Sequence, residues 1–359
     1  MDSTSPTLSF GCQVATYGDV RTAVDRAVRA EAAGFDLVTL PDHLFHPTDS
    51  DEFLTEPPWE VMTTLGALAE RTETVDLMPG VADSVRRHPT EMAHAIATLD
   101  RLTEGRAGFG IGAGEAFNFA PINDIDWRKP FTRFRECVSV ITGLWESTPG
   151  DRLDFDGEYF SLSDAHLGFK PHQDPYPPLW IGGYGPKMRT LTGRVADGWF
   201  PWVYSPDVYA DDLERVLEAA NEAGRDPDAI DRAVMIPSTV LADGDAAKEL
   251  ALPRNRINLA LRPPLLADMG YEDVAEETPI MWEMAFDEEQ SGRLTDAAGR
   301  IPDAAVEEIG VVGDPETAID QVERFVDAGV SHLVIIPVGD VEATLANYES
   351  EIIPYFQGD

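Results

Sequence analysis

The chain has 359 residues, 43% of them hydrophobic, and carries a formal net charge of −38 from 65 acidic against 27 basic side chains. That length can bury a large core as one big domain or two ordinary ones, and that apolar share excludes a disordered acidic tail. The charge excludes nucleic acid and anionic membranes as partners, since both need basic stripes, and points to a halophilic, cytoplasmic protein whose self-repulsion salt relieves. Only four lysines occur, so arginine carries most of the positive charge. Cys12 and Cys137 sit in separate apolar runs and suggest no disulfide framework. Neither an 18-residue apolar run nor a basic signal region is found, so a soluble protein is expected.

Met1 to Thr7 is polar and expected to fray. Leu8 to Ala15 reads as a strand, and Asp19 caps a helix whose apolar positions from Val20 to Ala32 recur at helical spacing. Gly34 stops that helix, Phe35 to Leu40 is a second strand, and Pro41-Asp42-His43 ends it. A loop of roughly 15 residues follows, longer than the usual strand-to-helix connection. Trp59 to Ala69 is helical, Val75 to Met78 is the third strand, and Pro79-Gly80-Val81 is a bend at its end. His88-Pro89 precedes a helix ending near Leu102, and Arg106 to Gly112 is a buried fourth strand of small and apolar residues. Pro130 opens a helix to Trp145, after which Pro149 to Pro178 is an inserted excursion rich in Pro, Asp and aromatics. Leu179 to Gly183 is strand five, followed by a helix after Pro186. Asp197 to Val203 is strand six, Asp207 to Ala223 a helix, and Ala233 to Leu241 strand seven. Asp243 to Ala304 is a second excursion, polar and helical in patches, containing Arg262-Pro263-Pro264. Pro315 to Ala328 is an amphipathic helix, His332 to Val338 the eighth strand, and the last helix ends near Phe356. One joint repeats near the two ends: a helix, then Ala-Gly at 33–34 and 328–329, then a strand.

Strand–helix alternation about eight times over, with no domain-scale linker, predicts one single-domain (β/α)8 TIM barrel spanning the chain with two insertions. A doubly wound sheet is the alternative, but Gly110, Gly112 and Gly114 have the wrong spacing for the dinucleotide fingerprint. In such a barrel the active site lies at the C-terminal strand ends. That rule gathers Gln13, Asp42-His43, Gly80-Val81, Glu115 and Gly182-Gly183 onto one rim from five strands.

Gly112-Ala113-Gly114-Glu115 is a small-residue tip ending in one carboxylate. It lets backbone approach a flat or phosphorylated ligand, or it is a tight barrel corner with Glu115 solvated. Asp42-His43 is a pair that touches a cofactor or a reacting proton, or a capping Asp beside an incidental His. Asp42, His43, His46 and Asp49 match no usual zinc spacing, so no metal is expected. Gly182, Gly183 and Gly185-Pro186 put small residues before a helix start. That geometry suits an anionic group, or simple close packing. The remaining histidines at 88, 94, 166 and 172 read as structural, and Trp180, Trp199 and Trp202 as core or cavity wall.

Several segments resemble the luciferase-like superfamily, and more narrowly its coenzyme F420-dependent oxidoreductases. They are residues 35–43 (FDLVTLPDH), 78–81 (MPGV), 95–106 (AIATLDRLTEGR), 110–115 (GIGAGE) and 179–186 (LWIGGYGP). Residues 125–130 and 311–315 are most similar to methylene-tetrahydromethanopterin reductases, and 154–159 with 114–116 to the deazaflavin-dependent sugar-phosphate dehydrogenases. The resemblance implies hydride transfer between a substrate carbon, possibly of a methylene-tetrahydropterin, and C5 of F420, with the protein supplying orientation and exclusion of water. It implies catalytic or ring-contacting roles for Gln13, Asp42, His43 and Glu115. It implies cofactor contacts at Gly80, Val81, Ala113, Gly114, Asn118, Gly182, Gly183, Gly185 and Pro186, and a non-prolyl cis peptide at Gly80-Val81. A small-molecule substrate and a homodimer follow from the same resemblance.

Two departures stand out. Methylene-pterin reductases carry a glutamate where this chain has Gln13, and an amide cannot act as the carboxylic acid that protonates a leaving nitrogen. The sugar-phosphate enzymes carry a tryptophan where this chain reads Leu44-Phe-His-Pro-Thr48, and a lysine where it reads Ser205-Pro206, which argues against glucose 6-phosphate. The alternatives are an FMN-dependent monooxygenase of the same superfamily and an F420-binding barrel without turnover.

Overall fold

The computed structural model describes residues 8–15, 18–45, 58–279 and 288–358. Met1 to Thr7, His46 and Asp49 lie outside them, as does most of the long loop after the second strand. Eight strand positions alternate with helices: β1 (Ser9–Gln13), β2 (Leu37–Leu40), β3 (Asp76–Pro79) continued by β4 (Ala82–Asp83), β5 (Phe109–Gly112), β8 (Leu179–Gly182), β9 (Gly198–Trp199), β10 (Asp231–Val240) and β12 (His332–Pro337). All pair in parallel, in the order β3-β2-β1-β12-β10-β9-β8-β5-β4. The ring closes where Leu77 of β3 bridges to Ala107 just before β5. Past Pro79 the chain turns through a cis peptide at Gly80-Val81, and β4 then pairs with Ile111 and Gly112 of β5. This is the expected (β/α)8 barrel.

Local chemistry explains most boundaries. Asp19 caps helix Val20–Ala32 by accepting the Arg21 N–H at 2.9 Å, and Asp314 caps helix Pro315–Asp327 in the same way through Thr317. Gly34 (φ +87°) and Gly329 (φ +96°) supply the left-handed residue at the repeated helix-to-strand joint. Strand six is shorter than expected, reduced to β9. Pro201 has no N–H to give a ladder, and Val203 is turned to φ +54°, although Trp202 still bridges to Met235.

Two packed layers form the core. One lies between strands and helices; the other fills the barrel with Leu37, Met78, Trp180, Phe200, Ala233, Met235 and Val334. Trp180 donates its indole N–H to Asp231 at 3.0 Å and packs on His332, the first residues of β10 and β12, so it plugs the N-terminal floor. The open C-terminal ends are left for a ligand.

The two excursions behave differently. The first makes a small antiparallel sheet, β6 (Leu153–Asp156) with β7 (Ser161–Ala165). It is tied to helix Pro130–Glu146 by buried Glu136, which accepts the N–H groups of Glu158 and Tyr159 at 2.9 and 2.8 Å. The second is largely helical, with Gly244–Ala260 and Pro263–Asp268 leading, and after it comes a strand that the sequence did not announce, β11 (Val311–Gly313). At three residues β11 is too short to show a period, yet it pairs in parallel with Ser238 to Val240.

Candidate active site

A cavity of about 680 Å³ opens at the C-terminal ends of the strands. Its wall contains Gln13, Asp42, His43, Gly80, Val81, Ala113, Gly114, Glu115, Asn118, Gly182, Gly183 and Gly185. Thus segments from the ends of β1, β2, β3, β5 and β8 meet at one mouth. Pro186 is not part of the wall; it is the first residue of helix Pro186–Val195, behind Gly185. Among the described residues no group of three His, Cys, Asp or Glu side chains is placed to hold a metal.

At the centre of the rim, His43 Nε2 lies 3.2 Å from Glu115 Oε2, both side chains about a quarter exposed. Glu115 precedes the short helix Ala116–Phe119 but makes no cap bond with its side chain, so the carboxylate is free to turn to His43. Asn118, from that helix, donates to Glu115 Oε2 at 3.3 Å and accepts the Leu44 N–H at 2.9 Å. One amide therefore fixes the carboxylate relative to the loop that carries the imidazole. The His43 ring also packs edge-on against Phe117.

Asp42 faces a different task. Its side chain is 1% exposed and takes a bidentate pair from Arg87 at 2.7 and 2.8 Å, a contact from Arg86 at 2.6 Å and the Asp83 N–H at 3.1 Å. Burial pushes its carboxyl up, but Arg87 and Arg86 more than offset that and hold it below the ordinary carboxylate range. An oxygen pair so fully engaged anchors the end of β2, while Asp42 still lines the cavity.

Gln13 donates its amide to Gly80 O at 2.9 Å, bracing the bend between β3 and β4. Gly114 has φ +79°, and a Cβ there would stand 2.4 Å from Asp83 Oδ1, so only glycine fits. Gly185 differs: a Cβ there would meet nothing within 4 Å, and its helix has no side-chain cap. The space beside that N-terminus is open on the Cβ side of Gly185.

Several wall residues were not singled out from sequence. Asp83 is 3% exposed; its Oδ1 accepts the Val85 and Arg86 N–H groups, while Oδ2 has no hydrogen-bond partner among the described residues. Burial pushes its pKa up, with Arg86 pulling the other way. It stands two residues past Val81, and strand alternation could have flagged it. Tyr184 and Met235 line the wall too. Trp202, read from sequence as core or cavity wall, is wall.

The second excursion closes one side. Arg262, Pro263 and Pro264 all line the cavity, whereas no described residue of the first excursion does. Arg262 is 5% exposed, donates to the carbonyls of Trp202 and Val203 (the latter at 2.7 Å), and lies over the Tyr184 ring at 3.5 Å.

Comparison with known proteins follows the same lines. The family described as luciferase-like monooxygenase matches residues 6–332. Two relatives are a phthiodiolone/phenolphthiodiolone dimycocerosates ketoreductase of Mycobacterium kansasii, 33% identical over 83% of this chain and 81% of that protein, and an F420-dependent glucose-6-phosphate dehydrogenase of Nakamurella multipartita, 32% identical over 98% and 97%. Among solved structures, an F420-dependent secondary alcohol dehydrogenase in complex with an F420–acetone adduct superposes with TM-score 0.81 at 26% identity, covering 96% of this chain and 98% of that one. The coenzyme F420-dependent tetrahydromethanopterin reductase of Methanopyrus kandleri superposes with TM-score 0.80 at 25% identity, covering 97% and 99%.

Proposed function

The chain belongs to the luciferase-like monooxygenase family, and from that premise we propose an F420-dependent oxidoreductase that interconverts a secondary alcohol and its ketone. The observation that carries the reading is the His43–Glu115 pair, 3.2 Å apart beside the Gly80-Val81 bend. The likeness to an alcohol dehydrogenase bound to an F420–acetone adduct supports it.

The residues present fit a flat, anionic cofactor. The bend at Gly80-Val81 and the glycine tip at Gly112 to Gly114 offer backbone against which a ring lies. The uncapped N-terminus at Gly185 suits a phosphate tail. When bound, F420 supplies the two-electron hydride chemistry. The chain's own residues handle the proton. His43 gives it to the substrate oxygen on reduction and takes it on oxidation, because imidazole changes charge near neutral pH. Glu115 shares that proton and stabilises the imidazolium, and Asn118 holds the two in register. Asp42 is a positioning residue that keeps the His43 loop in place through Arg86 and Arg87. Phe200, Trp202, Met235 and Leu261 shield the reacting centre from water.

Glu115→Gln tests this directly. Turnover of F420 with a panel of secondary alcohols and ketones should fall by about a hundredfold. Full activity of that variant on the true substrate would sink the proton role. The second reading, hydride transfer to or from a methylene-tetrahydropterin, is favoured by the likeness to the tetrahydromethanopterin reductase and disfavoured by Gln13. Reaction with methylene-pterin donors alone in the same panel would establish it instead. A copurified chromophore with the two-banded flavin spectrum would point to FMN, and tight F420 binding without any turnover to a barrel that only binds. The resemblance also implies a homodimer, and the net charge of −38 a halophilic cytoplasm.

A further inference from the structure

The cavity continues beyond the mouth. Cys12 and Gln13 are neighbours on β1 and so point to opposite faces of the sheet. Gln13 reaches inward to Gly80 O, yet Cys12 also lines the cavity, from the side packed under the helices. The space therefore wraps over the end of β1 into an outer arm. That arm is bounded by Cys12, Val14, Arg26, Val338, Val341 and Leu345, between helix Val20–Ala32 and helix Val341–Asn347. Its wall is apolar except for one cation and one thiol. Burial pushes the Cys12 thiol up to about 12, with Arg26 the nearby charge that opposes the shift.

Arg26 is the unusual member. One turn further along the same helix face, Arg29 bonds Glu349 at 2.7 Å and lies 3.8 Å from Glu342, which places this helix flank against the last helices. Arg26 itself makes no hydrogen bond or ion pair among the described residues, although acidic side chains outnumber basic ones 65 to 27. The wall's other two guanidiniums, Arg254 and Arg262, are both engaged. A half-buried guanidinium that faces an apolar space with no ion-pair partner among the described residues has unused donors in a fork that matches a carboxylate or a phosphate monoester.

We propose that the outer arm is a subsite for an acidic group carried on an apolar chain. On the alcohol–ketone reading above, on which the substrate assignment rests, the substrate is then an oxo or hydroxy compound. Its carbonyl carbon meets the His43–Glu115 pair, and its carboxylate or phosphate sits on Arg26.

The test uses octanoate, octyl phosphate and octan-1-ol, titrated calorimetrically into the full chain in molar KCl. Wild type should bind one of the two acids at least about tenfold more tightly than the alcohol. Whichever acid binds better identifies the head group. In Arg26→Met that preference should shrink to within about twofold while octanol affinity is unchanged, which doubles as the check on folding. Arg26→Lys should retain part of it. Equal affinity for acid and alcohol in wild type, or a preference that survives Arg26→Met, would overturn the subsite. Failure of every ketone to be reduced with F420 would overturn the reaction instead and leave the binding result standing.

Discussion

At the scale of single residues, the site depends on side chains whose roles are set by partners distant in sequence. Asp42 is the clearest case, since its two oxygens are consumed by Arg86 and Arg87. Arg87→Met leaves Arg86 in place but removes the bidentate partner of a buried charge. It should lower stability by about 3–4 kcal/mol in urea unfolding, the lower part of the range for breaking such pairs. Because the folded Asp42 carboxyl lies below its ordinary value, the pair stabilises in full above about pH 4, the unfolded value. That contribution is lost as pH falls through the lower folded value, so the wild-type and variant stability curves should converge in acid; curves that stay parallel would contradict the assignment. The glycine tips and the strand-end His43 and Glu115 were legible from sequence, because strand ends converge in a barrel whatever their neighbours do. The direction in which Asp42 points was not. It depends on an Arg-Arg pair from another segment, just before His88 and Pro89.

At the scale of elements, the second excursion is held to the barrel by core residues such as Leu259, Leu261, Leu265 and Leu266 and by one polar tie, Arg262. Arg262 ties the start of helix Pro263–Asp268 to the carbonyls after β9 and covers Tyr184. Arg262→Met should free residues 263–278, seen as faster amide exchange there. The global loss should be about 2–3 kcal/mol from a charge-assisted hydrogen bond and a desolvated cation–π contact. Unchanged exchange would mean that the excursion is held elsewhere. Most elements were readable because hydrophobic period and caps agreed, as at Asp19 and Asp314. β9 and β11 were misjudged for opposite reasons. Pro201 and the turned Val203 cut an apolar run short, whereas β11 is a three-residue strand recruited by the edge of β10.

At the scale of the whole molecule, an acid excess of this size coats a single core whose layers wrap a closed sheet. Salt that screens the surface should raise the melting temperature steeply between dilute buffer and molar KCl, and a flat response would remove the halophilic reading. The barrel itself was legible because eight strand–helix repeats leave few alternatives. What each excursion does was not, since one walls the cavity and the other packs on a helix without lining it. The ring also closes by pairing its first strand with its last, Ser9 against His332. A growing chain leaving the ribosome therefore carries β1 with one bare edge until β12 has been made. Folding to the native ring then waits on β12, and the dense negative coat keeps unfinished copies apart in the meantime.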